Sequence, residues 1–225
     1  MATTAENQRP DVHEMVVVHR IFRQGFAELA ELARRVPAGD TAWASAVSDE
    51  TEFLLSALHH HHTAEDEHLW PLLVARSEPD AGLVERMEAQ HEAVAQAVGR
   101  SRSVLGPWRT APGGPELADA LDAVTAALLP HLDEEEAGIL PVCRRCVTQA
   151  EWQAMGDAAF AEFSNDEKFV ALGWMLVSAT PEESAAFVAR LPWVVRAMWS
   201  LMGRRRFERR MTRLRGGSDV AGVWP

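Results

Sequence analysis

Histidines paired with glutamates are the residues of this 225-residue chain best suited to metal chemistry. Glu65 follows His61, and Glu135 follows His131, at the same four-residue spacing. Residues i and i+4 lie on one face of a helix, so each pair can point an imidazole and a carboxylate in the same direction. Imidazole nitrogen and carboxylate oxygen are donors that suit iron, manganese or zinc.

The two pairs belong to an internal repeat with a period of about 70 residues. His19 precedes His61 by 42 residues, and His91 precedes His131 by 40. In both halves a proline follows the histidine of the pair after ten residues. Each half therefore consists of one histidine, a turn and a His-x-x-x-Glu motif.

The elements that must position these residues are predicted to be helices. Apolar residues recur at three- and four-residue spacing, and no segment alternates in the manner of a strand. Short connections between long helices favour an antiparallel bundle. A linker dense in turn residues, at 106–115, is expected to end the third helix. The four long helices are predicted at about 11–36, 41–77, 79–105 and 116–147.

Three further helix starts carry a capping box, in which a serine or threonine precedes a glutamate by three residues. A final helix is expected at about 193–214, after a proline. The capping boxes are Thr148 with Glu151, Ser164 with Glu167, and Thr180 with Glu183.

The fold class is accordingly all-α, an up-down-up-down four-helix bundle with a C-terminal helical extension. We predict three parts: the bundle over 11–147, the extension over 148–215 and a flexible tail over 216–225.

The chemically interesting residues lie on the apolar seams of the four long helices, so they are expected in the bundle core. Buried carboxylates and imidazoles without partners are costly, and a metal is the simplest compensation. With bridging groups from solvent, such a set fits two ions better than one. The predicted ligands are His19, His61, Glu65, His91, His131 and Glu135.

With this order of histidines and His-x-x-x-Glu motifs, the chain resembles the hemerythrin-like (HHE cation-binding) family over roughly residues 11–147. The resemblance implies a hemerythrin-like four-helix bundle around a non-haem di-iron centre, with Fe2+ or Fe3+ ions and an oxo or hydroxo bridge. Manganese or zinc stays open, since the same donors suit these metals. The resemblance also implies that the carboxylates of Glu65 and Glu135 bridge the ions and that the terminal ligands are His19, His61, His91 and His131.

The chain departs from oxygen-carrying hemerythrins, which have two histidines four residues apart on the third helix and an aspartate five residues after the fourth-helix histidine. Here Met87 stands four residues before His91, and Glu135 takes the four-residue spacing. Fewer histidines leave more open coordination positions, which favours redox or sensing chemistry over reversible oxygen storage. A variant with a tyrosine ligand is excluded, because the chain has no tyrosine.

Other candidates are weaker. His62 and Asp66 also share a four-residue spacing and are expected to form a flanking polar pair rather than to bind metal. His68 is a minor ligand candidate, and His59 and His60 are expected to be solvated. Cys143 and Cys146 form a Cys-x-x-Cys motif without a second pair, so incidental cysteines are favoured over a redox or zinc role.

Function is left open between three classes. The centre binds or senses a small diatomic or peroxide ligand (O2, NO or H2O2), or it belongs to an enzyme such as a catalase-like peroxide scavenger or an NO-processing protein. In the third class the metal is structural, and the C-terminal helices act as a partner-binding or membrane-binding module.

Charge is distributed unevenly along the chain. The net charge is −11, which combines −18 over residues 1–189 with +7 over residues 190–225. An acidic body is a poor binder of nucleic acid, and the absence of long apolar runs suggests a cytoplasmic protein. The basic, amphipathic segment 193–215 could contact a membrane, although docking on the acidic bundle is favoured. The oligomeric state is not predicted.

Overall fold

The computed structural model describes residues 9–76 and 81–216, and every regular element in these ranges is helical. Helix α1 is His13–Arg35, α2 covers residues 41–76, α3 is Ala81–Thr110 and α4 covers residues 116–146. Each of these four helices packs against the next, and α4 returns to α1. The predicted all-α hemerythrin-like bundle is confirmed.

The third helix is longer than predicted. It continues through Gly106 and Pro107 and ends at Thr110, so the linker expected at 106–115 begins later. Proline inside a helix costs about 3 kcal/mol. Trp108 is buried in the core, and burial of a large apolar side chain contributes about 3 kcal/mol, which is comparable with that cost.

Both helices that carry a His-x-x-x-Glu motif contain a widened turn that was not predicted. A π-helical turn occupies Glu65–Leu69 in α2, and another occupies Glu135–Ile139 in α4. Each turn begins at the motif's glutamate, and in each the residue after the turn donates a backbone hydrogen bond to that glutamate's carbonyl. Such turns occur frequently at functional sites.

The bundle core consists of two apolar clusters with a polar layer between them. The larger cluster includes Phe22, Leu58 and Leu128, and the smaller one includes Met15 and Ile139. In α1 and α4 the seam histidine lies between a residue of one cluster and a residue of the other. Apolar side chains therefore pack against the polar layer on both sides.

Four shorter helices follow the bundle: α5 is Gln149–Ala161, α6 is Asn165–Ser178, α7 is Pro181–Arg190 and α8 covers residues 193–214. The three predicted capping boxes are all present at the starts of α5, α6 and α7. A third π-helical turn, Trp199–Gly203, lies within α8. Residues 217–225 of the predicted tail lie outside the described residues.

The C-terminal helices pack on the bundle and share its core. Trp174 of α6 and Phe207 of α8 belong to the same apolar cluster as the bundle residues. Glu50 of α2 is buried, accepts a 2.7 Å hydrogen bond from Trp174 Nε1 and pairs with Arg210 of α8. The basic helix α8 thus docks on the acidic bundle. The boundary between bundle and extension at 147/148 stays a prediction.

Within the part of the chain that the structure describes, no helix combines the length and the hydropathy that a membrane crossing requires.

Candidate metal centre

Seven ionisable side chains from α1, α2, α3 and α4 meet in the polar layer of the bundle. Six of them lie on the apolar seams of their helices and His62 lies beside the seam of α2, so packing of the seams brings them together. Four of them are fully buried, and the other three, His61, His62 and His91, keep only 7–8% of their surface exposed. The fully buried residues are His19, Glu65, His131 and Glu135.

The side chains form two groups of potential ligands, and Glu65 belongs to both. In each group the four donor atoms lie within 4.8 Å of one another. A carboxylate has two oxygens, so a shared glutamate can bridge two cations. The first group is His19, His61, Glu65 and Glu135, and the second is His62, Glu65, His91 and His131.

Each carboxylate also lies between histidines of the two groups. Glu65 Oε1 is 3.3 Å from His61 Nε2, and its Oε2 is 3.7 Å from His91 Nε2. Glu135 Oε2 is 3.3 Å from His19 Nε2 and 3.7 Å from His131 Nε2. The two halves of the sequence repeat therefore place their glutamates equivalently in space.

The polar atoms at the centre of this cluster have no hydrogen-bond partner among the described residues. They are the Nε2 atoms of the five histidines and all four oxygens of Glu65 and Glu135. Leaving a buried polar atom unpaired costs about 1–3 kcal/mol. Since all nine are Lewis-basic atoms that face one small volume, the residues fit a pair of cations.

Hydrogen bonds around the cluster orient three of the imidazoles. Nδ1 of His19 donates to Glu136, and Nδ1 of His91 donates to Asp66, both at 2.8 Å. Nδ1 of His131 lies 3.3 Å from Gln90 Oε1. A ring that carries its proton on Nδ1 keeps the Nε2 lone pair free, as metal-binding histidines do.

Burial and neighbouring charge move the pKa values of the cluster in different directions. Burial lowers the pKa of His61 to about 3 and that of His131 to about 4. Burial, together with the nearby charge of Glu135, raises the pKa of Glu65. Burial acts to raise the pKa of Glu135 as well, but contact with His19 outweighs it and lowers this pKa to about 2.

His62 belongs to the cluster although it is not among the ligands predicted from the sequence. His62 was expected to form a flanking pair with Asp66, but its ring stacks on His91 at 4.2 Å and its Nε2 joins the second group. Asp66 instead accepts hydrogen bonds from His91 and Trp70. Five imidazoles rather than four face the centre, which would leave fewer coordination positions open than the sequence predicts.

The remaining histidines lie outside the cluster. His13, His59 and His68 are exposed. His60 is half-buried and packs edge-on against Phe163, so its expected solvation is incomplete.

The two cysteines also lie outside the ligand groups. Cys143 is buried in the smaller apolar cluster, and burial raises the pKa of its thiol well above the ordinary value. A buried thiol of this kind is unreactive. This environment favours the interpretation of Cys143 as a packing residue.

The fold and the cluster together define a class, an all-α bundle with a histidine- and carboxylate-rich cation site in its core. The model of the hemerythrin HHE cation-binding domain matches residues 11–143, more than half of the chain. The chain therefore belongs to the hemerythrin HHE cation-binding family. Comparisons with curated proteins and with solved structures gave no match. The six ligands named from the sequence lie together, and their role in binding metal stays a prediction.

Proposed function

We propose that this protein holds two iron ions at the centre and binds a small ligand there (O2, NO or peroxide). The observation that carries the proposal is the sharing of Glu65 by two groups of four donors. We assign His19 and His61 to one ion, and His62, His91 and His131 to the other. Glu65 and Glu135 would bridge the two. A location in the cytoplasm forms part of the proposal.

The number and type of donors favour iron over zinc. Five imidazole nitrogens and four carboxylate oxygens face the centre without a hydrogen-bond partner among the described residues, one atom more than the about eight donors of two tetrahedral zinc ions. Asp66 and Glu136 add negative charge one hydrogen bond away. Four carboxylates balance the charge of two divalent cations, although Arg23 also contacts Glu136.

Burial limits what can reach the site. The ligand residues are at most 8% exposed, so only a small molecule can approach without rearrangement of the bundle. Iron supplies Lewis acidity and redox chemistry when bound. The chain supplies donor geometry, orientation of the imidazoles and the exclusion of bulk water.

Metal analysis tests the proposal first. The protein purified from iron-supplemented culture is expected to contain about two iron ions per chain. His61→Ala and His131→Ala, one from each group, should lower this content, whereas His59→Ala, an exposed neighbour, should not. Less than about one metal ion per chain, or unchanged content in both ligand variants, would contradict the proposal. A centre filled by manganese or zinc would overturn the iron assignment alone.

Ligand addition then separates binding from catalysis. Stoichiometric changes in visible absorption on addition of O2 or NO support a binding or sensing protein. Rapid oxygen evolution from hydrogen peroxide, measured with an oxygen electrode, supports a catalase-like enzyme instead. A metal-loaded protein that responds to none of these molecules would indicate a structural metal.

A further inference from the structure

Helix α8 has one side docked on the protein and another side open to solvent. The docked side carries Phe207, Met211 and Leu214, all of which are at most 2% exposed. Arg210 and Arg215 fasten the same part of the helix to Glu50 and Glu28. The C-terminal half is therefore firmly placed, and this placement fixes the direction in which the rest of the helix faces.

The N-terminal half of α8 exposes large apolar side chains. Trp193 is 73% exposed and Leu201 is 72% exposed, and Val194, Met198 and Met202 are also exposed. Val194, Met198 and Met202 follow one another at four-residue intervals, so they form a stripe along one face. Neighbouring exposed apolar side chains of this size mark an interaction surface more often than isolated ones do. We call these five residues the apolar stripe.

Arginines continue the same face toward the C-terminus. Arg205, Arg209 and Arg213 follow Met202 at intervals of three, four and four residues, and all three are exposed. None of them forms an ion pair with another described residue, whereas Arg204, Arg206, Arg210 and Arg215 all do. We call these three residues the arginine row. Its charge is unsatisfied within the described fold.

A groove beside the arginine row adds room for an anion. The cavity has a volume of about 610 Å³ and lies between α6 and α8. Its walls include Arg209 and Arg213 of the row together with Arg206 and Arg210. One carboxylate, Asp166, lines it as well. The groove is thus strongly cationic on a protein whose remaining surface is acidic.

We propose that the apolar stripe and the arginine row dock α8 on the surface of an anionic phospholipid membrane. The apolar side chains would enter the boundary between headgroups and acyl chains, and the arginines would bind phosphates. Exposed tryptophan is suited to this interface because its ring is amphipathic. Because residues 1–189 carry a net charge of −18, repulsion would turn the bundle away from the membrane and present α8 to it.

A second copy of the chain fits this surface less well. A two-fold contact that covers the whole face sets the arginine row of one copy against either the row or the apolar stripe of the other. The first arrangement is repulsive, and the second buries unpaired arginines against apolar side chains. An anionic lipid surface offers acyl chains to the apolar stripe and phosphates to the arginine row at the same time.

Vesicle co-sedimentation of the full-length, metal-loaded protein tests the proposal. Vesicles of phosphatidylcholine are compared with vesicles that contain about 30% phosphatidylglycerol, at about 0.1 M and 0.5 M salt. We expect binding to the anionic vesicles only, weakened by salt. Trp193→Ser with Leu201→Ser should reduce the partition coefficient about tenfold. Replacement of Arg205, Arg209 and Arg213 by glutamine should reduce it on the order of a hundredfold.

Matched variants elsewhere control for general effects of hydropathy and charge. Val74→Ser removes another exposed apolar side chain, and Arg35, Arg100 and Arg144 are exposed arginines outside α8 that can be changed to glutamine together. Both controls should bind vesicles as the unaltered protein does. Absence of binding to anionic vesicles, or equal losses in the controls, would overturn the proposal. So would a dimer in sedimentation velocity that Trp193→Ser with Leu201→Ser abolishes, since a second copy would then cover this face.

Discussion

Asp66 accepts a 2.8 Å hydrogen bond from Nδ1 of His91, which lies 25 residues later in the chain and on another helix. The equivalent contact, with the two halves exchanged, joins Glu136 to His19, also at 2.8 Å. Each carboxylate directly follows a glutamate of the central cluster in the sequence. Each also accepts a second hydrogen bond, Asp66 from Trp70 and Glu136 from Arg23. The repeat thus extends from the predicted ligands to the residues that orient them.

Asp66→Asn and Glu136→Gln are expected to weaken metal binding about 10- to 100-fold, because the oriented imidazole loses its charged acceptor. Competition with a chelator, followed by metal analysis, measures the change. Glu67→Gln, at an exposed position next to Asp66, is the matched control and should leave the affinity unaltered. Equal affinities in all three variants would show that these carboxylates do not position the ligands.

His62 provides a second prediction, since it has two separable roles. Its Nε2 lies in the second ligand group, and its ring stacks on His91. His62→Phe keeps an aromatic ring for stacking but removes the nitrogen. We expect the variant to lose one of two metal ions under a chelator challenge that the unaltered protein withstands, with an affinity loss of about tenfold or more.

His60→Ala, which removes the neighbouring ring that packs on Phe163, should retain both ions. If His62→Phe also retains both ions while His62→Ala loses one, then the ring is needed only for packing. That result would return His62 to the role of a structural residue.

The long helices and their capping boxes could be predicted, because three- and four-residue periodicity and cap residues are local signals. His62 could not be found in this way, since adjacent residues are about 100° apart on a helix and only one of them centres on a seam. A centre with two groups of donors is wide enough to use both His61 and His62. The width of a site depends on how the helices pack together, and the periodicity of apolar residues along one helix does not reveal it.

The π-helical turns were also missed, although a signal was present. Pro71 and Pro141 lie two residues beyond Glu65–Leu69 and Glu135–Ile139. Proline lacks the donor of a regular helical turn, and its ring conflicts with the carbonyl four residues earlier. Prolines at equivalent positions inside two predicted helices therefore indicated a local departure from α-helical geometry.

Removal of the metal should make stability depend on pH. Burial lowers the pKa of His61 to about 3 and of His131 to about 4, and lowers that of His62 as well. An unfolded histidine binds its proton near pH 6.5. Between about pH 6.5 and 4 the unfolded chain therefore binds more protons than the folded one, and the free energy of unfolding should fall as the pH decreases.

Glu65 acts in the opposite direction in this window, because its raised pKa keeps a proton on the folded state. Within the central cluster one group opposes three, so the cluster should contribute a slope on the order of 1–3 kcal/mol per pH unit. Burial also raises the pKa values of Glu14 and Glu50 outside the cluster, which reduces the net slope. Urea unfolding of chelator-treated protein at several pH values measures it. A free energy of unfolding that is constant or rises toward pH 4 would contradict the described environment of these histidines.

Substitution of Gly173, in α6, tests how α8 packs on the rest of the protein. A Cβ atom at this position would lie 2.3 Å from Cδ2 of Phe207, whose ring is only 2% exposed. Gly173→Ala must displace that ring and is expected to destabilise the protein by about 1–3 kcal/mol. Gly156, in α5, has no heavy atom within 4 Å of such a Cβ. Gly156→Ala should stabilise the protein by roughly 0.5–1 kcal/mol, because alanine favours a helix more than glycine does.

Urea denaturation of the two variants measures the difference, and Phe207→Leu supplies a second arm. A smaller side chain at 207 makes room for the new methyl group, so the double variant should be more stable than the sum of the single changes implies. Equal stabilisation by Gly173→Ala and Gly156→Ala would mean that the ring of Phe207 does not rest on α6. The direction fixed for the apolar stripe and the arginine row would then lose its structural basis, whereas the metal centre, built from α1, α2, α3 and α4, would be unaffected.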